Sequence, residues 1–209
     1  MAIMQFHFVT KANEHLFQLE LEEFFRARHA VYAEELGWVP KSPDGLEIDQ
    51  FDTAAAAYLI MMDGNEFVAG SRLIPTHLPH MLSEIFPASC DLAPMPVDPR
   101  VMEWTRGFIV AHRRDKSSVR ILAQACAAVM EYCLSLGCTQ VGGIQDQKWI
   151  PLWTKMGWSI RIHGSPIDID GEPWLPIYFD VTEAAMLAAR QLGRLTGPVL
   201  KNAAGQKAA

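Results

Sequence analysis

Three carboxylates fall within six residues at Glu47-Ile48-Asp49-Gln50-Phe51-Asp52, and a second charged pair, Glu103-Trp104-Thr105-Arg106, interrupts a run composed for a core. A solvated loop would explain the first stretch taken alone. Ile48 and Phe51, however, want burial and would draw the acids toward the body of the protein, and a charge buried in the second stretch must be paired or hydrogen-bonded. In a regular strand residues three apart face opposite sides, so Glu103 and Arg106 share a pocket only if a bulge intervenes. Arg28 sits in an apolar helical pattern, and Arg72 in the middle of Ala69-Gly70-Ser71-Arg72-Leu73. Each alone reads as a snorkelling surface arginine. Four such charges in apolar elements, beside an acidic loop, read as a cleft for a zwitterionic molecule.

A basic cluster, Arg113-Arg114-Asp115-Lys116-Ser117-Ser118-Val119-Arg120, stands where a long helix should begin. Free backbone N–H groups and the helix dipole favour an anion there, so Arg113, Arg114, Ser117 and Ser118 are candidates for a phosphate-bearing thioester carrier; a solvated helix start is the plainer alternative. Other chemistries are missing. There is no GxSxG, Walker A, GxGxxG or HExxH pattern, and His77-Leu78-Pro79-His80 lacks partner ligands, so no metal site is expected. Cys90 has no histidine context that would mark a nucleophile.

The elements that must position these groups follow from periodicity and turn chemistry. Gln5–Val9 alternates as a strand, Asn13 offers a helix cap, and apolar spacing predicts one helix over His15–Leu36, closed by Gly37. A polar loop follows over Pro40–Asp52, turning at Pro43-Asp44-Gly45. Tyr58–Met62 and Glu66–Ile74 read as a hairpin around Asp63-Gly64-Asn65. Pro75–Pro99 is irregular apart from a helical piece near Leu82–Ile85. Val101–Val110 is a strand, Asp115 and Ser117 cap a helix to about Leu136, and Gly137 ends it. Thr139–Ile144, Trp158–His163 and Leu175–Val181 are strands, Trp149–Met156 is a short helix, and Thr182 caps a last helix to about Leu192. The pattern predicts a single domain over 1–209: an α/β three-layer sandwich with a mixed sheet, and a frayed tail at 202–209.

Composition agrees with that class. The 209 residues are 50% hydrophobic and 20% charged, which excludes disordered and collagen-like chains. A net charge of −6 argues against a dedicated nucleic-acid binder. Of the four cysteines, none forms a CxxC pair; Cys126 and Cys133, seven apart in a helical pattern, are expected in the core. No secretion signal is visible in MAIMQFHFVTKANEH, and the longest apolar run, Ala54–Met62, is too short to cross a bilayer, so a soluble cytoplasmic protein is expected, with no membrane partner.

Six segments in order resemble the LuxI-type acyl-homoserine-lactone synthases, relatives of the GCN5-type N-acetyltransferase fold. They are Phe25-Arg26-Ala27-Arg28-His29-Ala30-Val31-Tyr32, Leu36-Gly37-Trp38, Gly45-Leu46-Glu47-Ile48-Asp49-Gln50-Phe51-Asp52, Gly70-Ser71-Arg72-Leu73, Ile85-Phe86-Pro87 and Glu103-Trp104-Thr105-Arg106. Tyr32 stands where the family usually has phenylalanine, and its hydroxyl needs a partner if buried. The resemblance implies that the amine of S-adenosylmethionine attacks an acyl thioester. Its carboxylate then displaces the sulfonium, giving a homoserine lactone for quorum sensing and methylthioadenosine, with no tightly bound cofactor. It further implies that Arg28, Tyr32, Trp38, Asp49, Asp52 and Arg72 line the S-adenosylmethionine region, with Glu103, Arg106 and Asp49 at the reacting centre. Glu103 is the candidate base, and Arg106 either clamps the substrate carboxylate or holds Glu103.

The acyl donor in this family is acyl carrier protein or acyl-CoA. Phe86 would border the acyl channel, with Trp104 beside it. Gly143 occupies the position nearest to one where 3-oxo-selective members have threonine, so no 3-oxo preference is expected. Trp149 and Trp153 either narrow the channel, favouring branched or aromatic acyl-CoA, or simply pack a helix on the sheet. Two rival functions are a plain acetyltransferase of this fold and a non-catalytic module sensing an acyl thioester or adenosyl ligand.

Overall fold

A computed structural model describes residues 4–200; the tail expected to fray at 202–209 lies outside the described residues. Eight strands form one sheet: β1 (Met4–Val9), β2 (Ala57–Asp63), β3 (Glu66–Pro75), β4 (Val101–Ile109), β5 (Gln140–Asp146), β6 (Ile160–Ile162), β7 (Ile167–Ile169) and β8 (Glu172–Asp180). Their order is β1-β2-β3-β4-β5-β8-β6, with β7 paired to β8, and β4–β5 is the one parallel pair among the described strands. Helices α3 (Ser118–Ser135) and α5 (Glu183–Gly193) cover one face, and α1 (Gln18–Arg28) and α2 (Met81–Ile85) the other. A short helix, α4 (Ile150–Lys155), follows β5.

The period of two in β2 shows why the sheet is covered on both sides. Leu59 and Met61 pack with α3, while Tyr58, Ile60 and Met62 pack with Phe24 of α1. The cysteines expected in the core are there: Cys126 and Cys133 are fully buried. No helix among the described residues is long and apolar enough to cross a membrane.

The first helix departs from expectation. The segment read as one helix over His15–Leu36 consists of a 3-10 turn (Glu14–Leu16), α1, and a π-helical turn over His29–Glu35. A π turn carries an extra residue per turn and recurs where side chains must be re-aimed; here it buries Val31 and Tyr32 as well as Arg28. Asn13 does not cap a helix. Its side chain accepts from Thr10 N and donates to the Phe8 carbonyl, securing the end of β1. Ser117 is helical in backbone and caps nothing; instead the Asp115 carboxylate accepts the Ser117 N–H. Thr182 does cap α5, accepting from Ala185 N at 3.1 Å. The β7–β8 hairpin is an addition: it turns at Asp170-Gly171, both with positive φ, a pair favoured in two-residue hairpin loops.

Two irregularities in β4 shape the site. The β3–β4 register shifts so that Gly70 faces Phe108 but Arg72 faces Thr105, leaving Arg106 and Gly107 opposite Ser71, with Arg106 at φ +51°. The strand is thus bulged next to the Glu103–Arg106 pair, but the bulge does not bring the two side chains into one pocket. Strands β4 and β5, in turn, pair only from Val101–Gln140 to Glu103–Gly142 and then part.

Candidate active site

A cavity of about 790 Å³ opens where β4 and β5 part. Its walls come from the π turn and following loop (Tyr32, Trp38), the β4 bulge (Trp104 to Ile109), the start of α3 (Ser118, Leu122), the end of β5 with α4 (Asp146, Trp149, Trp153), and the β7–β8 hairpin (Ile169, Trp174). Trp38 packs edge-on against Trp174 at 5.5 Å between ring centres, bringing the first loop and the hairpin together.

Behind the bulge lies a closed ion network of three arginines and three carboxylates. Arg28, fully buried, ends α1; its Nη1 and Nη2 donate to Asp52 Oδ1 and Oδ2 at 2.8 and 3.1 Å, and its Nε donates to Glu47. Arg72, also fully buried, donates from Nη1 to Asp49 Oδ1 at 2.5 Å and Asp52 Oδ1 at 2.9 Å. Arg106 donates from Nη2 to Glu47 Oε1 at 3.0 Å and Asp49 Oδ2 at 2.9 Å. Tyr58 donates its hydroxyl to Asp52, and Asp49 N donates to Asp52 Oδ2, so few lone pairs go unused. Burial alone would raise the Asp52 carboxyl, but the Arg28 and Arg72 guanidiniums outweigh it and hold it at about 2.

Glu103 belongs to a different environment. It is fully buried, and its Oε2 and Oε1 accept Met81 N and Leu82 N at 2.9 and 2.6 Å. Burial pushes its proton affinity up, against the influence of His80 and of these two hydrogen bonds. Arg106 does not hold Glu103; it turns the other way, to Glu47 and Asp49, with Nη1 facing Met81 Sδ at 3.7 Å.

Of the residues singled out in the sequence, Tyr32, Trp38, Trp104, Arg106, Arg114, Ser118, Trp149 and Trp153 line the cavity. Arg28, Arg72, Asp49 and Asp52 do not; they clamp one another behind it. The Tyr32 hydroxyl has its partner, donating to the Gly107 carbonyl at 3.2 Å, while Arg106 lies over its ring. Tyr32→Phe is therefore expected to lower stability by about 1 kcal/mol, readable in a denaturant titration. Trp153 lines the cavity and also stacks on Trp158 at 5.4 Å, packing α4 on the sheet.

Several expectations are corrected. Phe86 is not at the cavity; it packs on Leu82, Val101, Ile144 and Tyr178 under α2. Gly143 also lies off the cavity wall, beneath Glu103. It has φ +146°, and a Cβ there would stand 3.3 Å from Glu103 Cγ and from the Trp104 carbonyl. Gly143→Ala is expected to cost about 1–3 kcal/mol by unfolding measurements, because the backbone conformation is one that only glycine adopts freely. Arg113 lies off the cavity wall and is bound to Asp63 and Glu66 of the β2–β3 hairpin. Ser117 is tied to Asp115, and Arg114, though on the cavity wall, pairs with Glu35. Ile48, expected to pull the acids inward, is exposed; buried Phe51 does that alone. Glu47, one of the three acids of the quoted motif but given no role of its own there, bridges Arg28 and Arg106.

Comparison with known proteins fits this arrangement. A sequence model of the autoinducer synthase family matches residues 13–188. The isovaleryl-homoserine lactone synthase of Bradyrhizobium diazoefficiens is 38% identical over 161 residues, covering 77% of this chain and 72% of that protein. The acyl-homoserine-lactone synthase of Acinetobacter nosocomialis is 29% identical, covering 76% and 91%. Among solved structures, the CoA-dependent acyl-homoserine lactone synthase BjaI with SAM and isopentyl-CoA superposes with a TM-score of 0.86 at 31% identity, over 93% of this chain and 92% of that one. A putative N-acetyltransferase from Lactobacillus plantarum, at 17% identity and a TM-score of 0.55 over 86% of this chain and 99% of that one, shares the fold alone. The chain belongs to the autoinducer synthase family and is an acyl-homoserine-lactone synthase.

Proposed function

We propose that the protein joins the amine of S-adenosylmethionine to the acyl group of an acyl-CoA and then closes the homoserine lactone, releasing methylthioadenosine. The observation that carries this reading is the two-sided cavity between β4 and β5. One side presents the ion network through Arg106; the other is a wall of indoles, Trp104, Trp149 and Trp153. A charged amino-acid end and an apolar acyl chain need such opposed walls, and holding both reactants in register supplies much of the acceleration.

In this reading the outer Nη1 of Arg106, the network residue on the cavity wall, meets the substrate carboxylate, while Asp49, the most exposed acid of the network, stands behind that wall and lends its negative charge to the substrate ammonium. Arg28, Arg72, Glu47 and Asp52 fix those two groups in place, while Tyr32 and Trp38 border the adenosyl portion. The amine has a reference pKa near ~8 and must shed a proton before attack. Glu103 is the base. Its neighbours Met81 and Trp104 line the cavity while it sits behind them, so the proton reaches it through a bridging water. After amide formation, a substrate carboxylate oxygen displaces the sulfonium and closes the ring. Arg114 and Ser118 stand at the wall nearest α3, where a CoA phosphate would approach.

The donor assignment is supported by the indole wall and by the CoA-dependent relatives, one of which was solved with SAM and isopentyl-CoA. A mass-spectrometric panel tests it: purified protein, S-adenosylmethionine, and straight, branched and aromatic acyl-CoAs alongside matching acyl carrier proteins. An N-acyl lactone with methylthioadenosine from a short branched or aromatic acyl-CoA is the expected outcome. Turnover with acyl carrier protein alone would overturn the donor, and acetyl-CoA consumption without methylthioadenosine would overturn the reaction.

A further inference from the structure

The β7–β8 hairpin brings to the cavity a tryptophan to which the reaction above gives no task. Trp174 lines the cavity, and its ring meets that of Trp38, also on the wall, at 5.5 Å between centres and 75° between planes. The two indoles thus form a corner. Trp174 also packs on the cluster of Leu82, Val101, Ile144 and Tyr178, but packing does not account for its identity. Its Nε1–H is buried with no hydrogen-bond partner. A buried donor left without a partner is costly, and a phenylalanine or leucine would fill the same place without one. What an indole adds is the ring face that attracts cations most strongly.

The charges around the corner say what it would hold. The protein's own cations on the cavity wall stack elsewhere, Arg106 over the Tyr32 ring at 5.1 Å and Lys148 over Trp149 at 5.9 Å. Tyr32 stands 5.8 Å from Trp38, so the corner begins one ring beyond Arg106. The hairpin presents two exposed carboxylates to the same cavity, Asp170 and Glu172, whose sign attracts a cation and repels the phosphates of CoA. With the substrate carboxylate on Arg106, the sulfonium lies three saturated carbons away, on the scale that separates Arg106 from the ring pair.

We propose that Trp174, together with Trp38, holds the sulfonium of S-adenosylmethionine through the ring faces, so that the hairpin supplies a substrate-binding residue. This deepens the proposed function and rests on it. Lactone closure forms a C–O bond at the carbon next to sulfur and breaks the C–S bond, whose electron pair stays on sulfur. The sulfonium thereby becomes the neutral thioether of methylthioadenosine. The corner grips the cation of the substrate and has no such hold on the product, which favours release. Because the charge fades in the transition state, the contact strengthens binding and does not speed ring closure.

The test is calorimetric binding of S-adenosylmethionine and S-adenosylhomocysteine to the intact protein and to its Trp174→Leu and Trp174→Phe variants, with thermal unfolding to show that these fold. The two ligands differ only in the methyl group that makes sulfur cationic, and no turnover is needed. Wild type should bind the sulfonium about 5–30-fold more tightly than the thioether. In Trp174→Leu that ratio should fall at least about threefold, with Trp174→Phe between the two. KM for S-adenosylmethionine should rise in Trp174→Leu while kcat stays within about twofold. A ratio that Trp174→Leu leaves unchanged overturns the inference. Equal affinity of wild type for the two ligands also overturns it, and that comparison decides even if neither variant folds. A sulfonium preference lost in Trp174→Leu, in a protein that makes no lactone with any donor, supports the corner and overturns the proposed reaction; binding of neither ligand overturns both.

Discussion

Arg28→Ala is expected to destabilise the protein by about 3–5 kcal/mol, because it removes one partner from a buried ion network and strands the others. Glu47 and Asp52 are the carboxylates it would strand, and each is nearly inaccessible to water. Asp52 would keep Arg72 and Tyr58, but Glu47 would be left with Arg106 alone. For a chain of this length the loss corresponds to a fall of roughly 6–20 °C in melting temperature, measurable by calorimetry. A variant melting within about 2 °C of wild type would show that the network contributes little. Arg28→Lys should fall between the two, since a single ammonium cannot grip both Asp52 oxygens and Glu47 together.

The same network fixes an acid dependence. Asp52 is held at about 2 in the fold, below its usual value of 3.8. A depressed carboxyl contributes stability that is fully present above its unfolded pKa and is lost as pH falls through the folded one. Stability should therefore decline between about pH 4 and pH 2 in wild type. The decline should be shallower in Arg28→Ala, where the main cause of the depression is gone. Parallel acid titrations of the two proteins would show whether the slopes differ.

How these charges would pair was only partly legible in the sequence. That Arg28, Arg72, Glu103 and Arg106 would each be held by partners followed from a physical rule: charges inside apolar patterns must find them. Which partner each finds depends on backbone irregularities that periodicity does not encode. The β4 bulge turns Arg106 away from Glu103 and toward the acidic loop, and the π turn brings Glu35 to Arg114. The pairing of Arg113 was hidden for the same reason, because Asp63 and Glu66 reach it only through the fold of the β2–β3 hairpin. The β7–β8 hairpin was within reach of local rules, its Asp170-Gly171 turn being a favoured type, but Pro173 and Pro176 mask the strand that follows.

Glu103→Gln is expected to lower kcat for lactone formation by at least about 100-fold, the ordinary contribution of a positioned general base, while leaving KM for S-adenosylmethionine nearly unchanged. The amide keeps one oxygen to accept an N–H from Met81 or Leu82 but turns an NH₂ group toward the other, so a stability loss of about 1–3 kcal/mol accompanies it at low pH. That loss should shrink as pH rises. Burial raises the Glu103 carboxyl above its usual range, so its stabilising contribution is present below the unfolded pKa and is lost as pH climbs through the folded value. The glutamine has no proton to release and escapes that loss. A variant retaining near wild-type kcat would remove Glu103 from the base role and shift attention to Asp49, the acid of the ion network most open to solvent. Activity lost together with binding would instead place Glu103 among the groups that shape the cavity wall through Met81 and Trp104, both of which border it.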